Sequence, residues 1–140
     1  MHKTLNVVLA GLCGLVIVSG CEKVAAGAAQ KGVAEKAHVP ELTDATFGAQ
    51  PAKGVMLVDF WAPWCGPCRT QGPILEKAAA QIGPLARVFK VNVDQSPQLG
   101  RKYASQGIPS LVVFKDGQPV KRFLGVTPAD ELVNAVKAAQ

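Results

Sequence analysis

The chain has 140 residues, room for one ordinary domain, and 49% of them are apolar, enough to build a core. Its 14 glycines and 10 prolines show no repeat, which excludes a collagen-like or low-complexity chain. The net charge of +5 is scattered, with no like-charged run longer than two residues, so it reads as a solvated basic surface and no nucleic-acid partner is expected.

Met1-His2-Lys3 makes a short positive start, and Leu5 to Val18 is then almost wholly apolar. About fourteen such residues suit the core of a signal peptide, whereas a spanning helix wants roughly twenty. The stretch ends in Val18-Ser19-Gly20-Cys21, which resembles the bacterial lipoprotein box. That resemblance implies cleavage before Cys21 and a diacylglycerol on its thiol. An ordinary secretory signal, or an uncleaved anchor, is the other reading. Residues 1–20 are therefore expected to be signal peptide, and residues 21–38 a lipidated cysteine and flexible linker. The linker is rich in Ala, Gly, Lys and Glu, with no aromatic residue and no long apolar face. As a coil it spans roughly 20–25 Å, and fully stretched about 60 Å. A domain tethered in this way works close to the membrane, at a raised effective concentration towards membrane partners.

Residues 39–140 form the domain. Val39 to Leu42 suits an outer strand and Asp44 to Gln50 a short helix. Val55 to Trp61, an apolar run broken by Asp59, predicts a buried central strand. From Cys65 to Gln81 the apolar spacing predicts a helix, with Ile74, Leu75, Ala78 and Ile82 on one face and a kink at Pro73. Arg87 to Val93 alternates and reads as a second inner strand. Ser96-Pro97 opens a helix to about Tyr103, with Ser96 as its cap. Ser110 to Lys115 is a strand, Asp116-Gly117 a tight turn, and Val120 to Leu124 the returning edge strand. Thr127 to Asp130 has the pattern of a capping box ahead of a last helix whose inner stripe is Leu132, Val133 and Val136. The order β-α-β-α-β-α-β-β-α argues for an α/β domain, a mixed sheet flanked by helices.

Of the four cysteines, Cys13 and Cys21 belong to the signal region, which leaves Cys65 and Cys68 in the domain. A bridge over so short a loop constrains the chain very little. A structural zinc site usually needs four ligands, and the two histidines, His2 and His38, lie in the signal and linker. No metal is therefore expected, and a dithiol that cycles between reduced and oxidised forms is what remains. Cys65 stands at a helix N-terminus, where unpaired N–H groups favour a thiolate, the form that attacks a disulfide. Cys68, one turn on, can resolve the mixed disulfide. Gly66 and Pro67 keep the turn compact. Asp59 is either an outward-facing strand residue or a buried acid whose pKa burial raises and which takes the proton of Cys68. Lys90, on the neighbouring strand, is its expected partner.

These residues resemble the thioredoxin family from Val39 to Gln140. "VDFWAPWCGPC" is similar to the family's active-site signature and is highly specific. "KVNVDQSP" at 90–97, "GIPS" at 107–110, "FKDG" at 114–117 and Gly125 fall where the family has similar stretches. The resemblance implies the thioredoxin fold, with Cys65 as nucleophile, Cys68 as resolving thiol, Asp59 as buried acid and Lys90 as its neighbour. It implies that Trp61 and Trp64 flank the site, although Trp61 also reads as plain core packing. Pro109 would be a cis-proline facing the disulfide, leaving the Ile108 backbone free to pair with an extended substrate. Two departures are Ser110, where the family more often has Thr, and Gly72, where Ala is usual before the helix proline.

The resemblance further implies protein disulfides as substrates, no cofactor, and a monomer. Typical members are cytosolic and are reduced by a soluble flavoprotein, which an exported domain cannot meet. A transmembrane thiol carrier is therefore expected as electron donor, with the domain lipid-anchored on the periplasmic side of a bacterial membrane. Clients would be exported proteins, apocytochromes included. A disulfide oxidase or isomerase, and a non-catalytic binding or chaperone module, are the alternatives.

Overall fold

The computed structural model describes residues 38–50 and 53–140. The predicted signal peptide, Cys21 and residues 22–37 of the linker lie outside the described residues. The elements are β1 (Glu41–Leu42), α1 (Asp44–Phe47), β2 (Val55–Trp61), α2 (Gly66–Ile82), β3 (Arg87–Asn92), α3 (Pro97–Tyr103), β4 (Ser110–Lys115), β5 (Gln118–Leu124) and α4 (Ala129–Ala138). A short 3₁₀ turn, Gly83–Leu85, closes α2. One five-stranded sheet runs β1-β3-β2-β4-β5, parallel through β1, β3 and β2 and antiparallel from β2 to β4 to β5. This is the mixed α/β sandwich predicted.

β2 is the axis of the domain. It pairs on both edges, and six of its seven residues are buried. Successive side chains of a strand point to opposite faces, so this one run serves two cores. Val55 and Leu57 join Leu75, Ala78 and Ile82 of α2 and Leu132 and Val136 of α4. Met56, Val58 and Phe60 pack with Leu42, Leu99 and Tyr103 on the side of α1 and α3. By that alternation Asp59 and Trp61 fall on the α2/α4 face. Each fully buried Leu or Phe here contributes about 1.5–3 kcal/mol relative to exposure, so the end of β2 is firmly placed.

Other details follow from local chemistry. Asp116 and Gly117 both have positive φ, 50° and 79°, the conformation of the two-residue hairpin turn that Asp-Gly favours. The Asp116 carboxylate also accepts from the Gly54 N–H at 2.8 Å, tying the hairpin to the start of β2. α2 runs without interruption through Pro73, which lacks the N–H that would bond one turn back.

The predicted helix caps hold only in part. Ser96 is the N-cap residue of α3, as predicted, but its side chain makes no cap bond, and its buried hydroxyl has no partner among the described residues. The carboxylate of Asp44, from α1, caps α3 instead, accepting from the N–H groups of Gln98 at 3.3 Å and Leu99 at 3.0 Å. At the last helix Pro128, not Thr127, is the N-cap, and no side chain caps it. Thr127 is held elsewhere, its backbone bonded by a buried glutamine described below and its hydroxyl donating to the Gly125 carbonyl at 3.2 Å. α1 and β1 are also shorter than predicted, and β5 starts two residues earlier.

Asp44→Ala should cost about 1 kcal/mol in urea unfolding, because two N–H groups of α3 lose their acceptor. Ser96→Ala should cost less. The reverse order would contradict the cap assignment.

Candidate active site

β2 ends at Trp61, and Ala62, Pro63 and Trp64 carry the chain to Cys65, the N-cap of α2. The first N–H groups of a helix have no intrahelical partner. One of them, on Cys68, donates to the Cys65 sulfur at 3.2 Å. Cys65 and Cys68 form a disulfide, with their Cα atoms 5.3 Å apart. The Cys65 sulfur also lies 3.7 Å from the carbonyl oxygen of Ile108. The Ile108–Pro109 bond is cis, as the resemblance implied. Among the described residues the Ile108 N–H makes no hydrogen bond to another backbone group, which leaves it available beside the disulfide.

Asp59 is buried, with 1% of its surface exposed, and its Oδ1 has no hydrogen-bond partner among the described residues. Burial pushes its pKa up to about 7, against a smaller lowering by the positive charge of Lys90. Lys90 sits in register with Asp59 on the neighbouring strand. The expected partnership is thus one of position and field. The Lys90 Nζ turns instead to the Trp61 ring, 5.2 Å from its centre.

The tryptophans flank the disulfide in different ways. Trp61 is half-buried and packs against the cluster of Ala62, Cys65 and Cys68. Its Nε1 donates to Glu41 Oε1 at 2.9 Å, so the ring is held both by packing and by a hydrogen bond. Trp64 is 67% exposed, yet its Nε1 is held by both carboxylate oxygens of Asp94, at 3.0 and 3.2 Å. Gly66 and Pro67 are exposed in the first turn of α2. Gly125 has φ +84°, a conformation that side chains disfavour, and its N–H donates to the Pro109 carbonyl at 2.8 Å.

A groove of about 410 Å³ opens beside this cluster, lined by Trp64, Val93, Gly100, Ala104, Gly107 and Ile108 among others. A larger groove of about 670 Å³, walled by β5 and α4, contains none of the predicted site residues. The smaller groove includes Ile108, whose carbonyl oxygen lies 3.7 Å from the Cys65 sulfur, so it is the one that matters for disulfide chemistry.

Three frame residues were not foreseen. Gln71, fully buried, accepts from the Thr127 N–H at 2.8 Å and donates to the Thr127 carbonyl at 3.3 Å. It lies on the inner stripe Cys68, Gln71, Leu75, Ala78, Ile82, so helical spacing carried a signal for it. Asp94 falls within a stretch that resembles the family, but its bond to Trp64 has no local signature. Glu41 is an exposed acid on a two-residue strand, and nothing in its neighbourhood of the sequence marks it.

A disulfide at a helix N-terminus, facing a cis-proline and an open strip of backbone, defines a thiol–disulfide oxidoreductase. The profile of the thioredoxin family matches residues 38–138. The thioredoxins of Staphylococcus aureus strains Mu50 / ATCC 700699 and N315 are each 44% identical over 98 residues, covering 70% of this chain and 94% of theirs. The solved structure of a mutant thioredoxin from Halobacterium salinarum NRC-1 superposes with a TM-score of 0.62 at 32% identity, over 72% of this chain and 88% of that one. The chain belongs to the thioredoxin family.

The raised acid has a consequence for stability. Its pKa is about 7 when folded and 3.8 ordinarily. As pH rises from about 4 to about 7 the unfolded chain gives up this proton first, so folding loses stability across that window, on the order of 4 kcal/mol. Asp59→Asn cannot ionise. Its stability should gain on that of the wild type through the window and hold the gain above it, measured by urea unfolding of the oxidised proteins. Parallel pH profiles would contradict the buried acid.

Proposed function

We propose that this thiol–disulfide oxidoreductase works as a membrane-tethered disulfide reductase on the periplasmic side of a bacterial membrane. The observation that carries the chemistry is the Cys68 N–H aimed at the Cys65 sulfur at the start of α2. A donor there stabilises the Cys65 thiolate of the reduced form.

The Cys65 thiolate attacks one sulfur of a client disulfide, forming a mixed disulfide and releasing the other client sulfur, which takes up a proton. An extended client segment pairs with the open Ile108 backbone beside cis-Pro109, and the apolar groove from Trp64 to Ala104 receives its side chains. Asp59, whose raised pKa lets it exchange a proton near neutral pH, takes the proton of Cys68. The Cys68 thiolate attacks Cys65, closes the Cys65–Cys68 disulfide and releases the second client sulfur, which takes up a proton. Two electrons have passed from the dithiol to the client. A transmembrane thiol carrier returns them and reopens the pair.

The tether rests on the Val18-Ser19-Gly20-Cys21 box behind its apolar core. The reducing direction rests on Gly66-Pro67 between the cysteines, which is similar to the reducing branch of the family. Exported proteins, apocytochromes among them, are the clients such a placement offers.

A reduction potential near −270 mV supports the reductase, and one near −120 mV makes the protein an oxidase instead (both about, on the scale of related dithiols). Cys68→Ser should accumulate mixed disulfides on Cys65 that Cys65→Ser lacks, seen as thiol-sensitive adducts on non-reducing gels. Cys21→Ser should move the protein from the membrane to the soluble fraction. Retention in the membrane would remove the lipid anchor from this reading.

A further inference from the structure

Lys90 stands between two carboxylates. In the parallel register of β1, β3 and β2, Glu41, Lys90 and Asp59 lie side by side, and in-register residues of neighbouring strands project from the same face. The ammonium nonetheless settles on neither acid. It rests over the Trp61 ring, 5.2 Å from the centroid, while Asp59 Oδ1 stays without a partner among the described residues. The ring is itself fixed at its far end, where Nε1 donates to Glu41 Oε1 at 2.9 Å.

We propose that Glu41 is a positioning residue for the dithiol chemistry: by fixing the Trp61 ring it keeps Lys90 on the ring and off Asp59. The inference rests on the reading of Asp59 as the proton acceptor of Cys68. An ammonium in contact with Asp59 would hold it as a paired carboxylate and lower its pKa by about 1–3. A paired carboxylate is a poorer proton acceptor for a thiol.

Glu41 opposes that contact through its hydrogen bond to the ring. The bond polarises the indole and strengthens the ring face as a seat for the cation. The surroundings supply no other rival among the described residues. β3 brings Lys90 to Asp59, with Glu41 of β1 beyond it, and β4 sets the apolar Leu111 in register. The buried residues of α2 are Cys68, Gln71, Leu75, Ala78 and Ile82, and those of α4 are apolar.

The test is an NMR titration of the Asp59 carboxyl in the full chain, with the pH profile of mixed-disulfide resolution beside it. Glu41→Leu and Glu41→Gln lose the same charge, but only the leucine loses the acceptor for Trp61. Glu41→Leu should move the Asp59 midpoint down by about one pH unit, and the resolution profile should move with it. Glu41→Gln should stay within about a third of that shift. In a Lys90→Met background the Glu41→Leu effect should vanish, since the two act through one contact.

Equal shifts from both variants, an unmoved midpoint in Glu41→Leu, or a shift that survives Lys90→Met would each overturn the proposal. Glu41 is exposed on a two-residue edge strand, and Glu41→Ser replaces Glu41→Leu if the latter fails to fold. Failure of the reductase reading would show separately, as a wild-type chain that does not reduce insulin disulfides whatever its Asp59 midpoint.

Discussion

Helix α2 starts one residue after Cys65, and a free N–H of its first turn, that of Cys68, points at the sulfur from 3.2 Å. A donor so placed favours an anion at that sulfur once the disulfide is reduced, and the nucleophilic role proposed for Cys65 rests on it. The position is not a property of a loop. β2 is hydrogen-bonded on both edges and buried on both faces up to Phe60. Only Ala62, Pro63 and Trp64 then separate Trp61, its last residue, from Cys65. The sheet thus carries its rigidity to the reactive atom over a short chain, and the cis-proline strip that ends 3.7 Å from the sulfur is built on the adjacent strand, β4.

Two of the buried polar side chains around this site have opposite fates. Gln71 is fully buried, and both ends of its amide are paired with the backbone of Thr127. A satisfied amide of this kind stiffens what it joins. Here it joins the first half of α2 to the loop that carries Gly125, whose N–H in turn holds the Pro109 carbonyl. Asp59 is as deeply buried, and one of its oxygens is left with no partner among the described residues. An unpaired carboxyl in an apolar setting destabilises the fold once it ionises, and the molecule escapes by holding the proton to about pH 7. An apolar residue would be more stable there. A group that breaks the packing rule and sits on the strand feeding the nucleophile is what a functional position looks like.

Most of this architecture was legible in the chain. The order of elements, the buried run of β2, the Asp-Gly turn and the thiol pair at a helix start all rest on patterns within a dozen residues, and each appears where those patterns put it. The misreadings share a cause. Ser96 and Thr127 both satisfy the local rule for a helix cap, but a competitor far along the chain prevails. Asp44, 54 and 55 residues from the N–H groups that donate to it, caps α3. Gln71, 56 residues away, takes the backbone of Thr127 and leaves the cap to Pro128. Lys90 stands beside Asp59 in register, as expected, yet its ammonium lies over the Trp61 ring, whose Nε1 is held by Glu41 from 20 residues away.

The division between local and distant contacts also separates reactivity from its frame. The reactive unit is Cys65, Cys68 and the turn between them, and it is encoded in a few neighbouring residues. Its frame consists of Trp64 on Asp94, Trp61 on Glu41 and Gln71 on Thr127, contacts that span 30, 20 and 56 residues. Each fixes one wall of the site, and no local pattern shows which distant partner each residue takes. A short stretch can therefore show the dithiol, while the walls around it emerge only when the strands come into register.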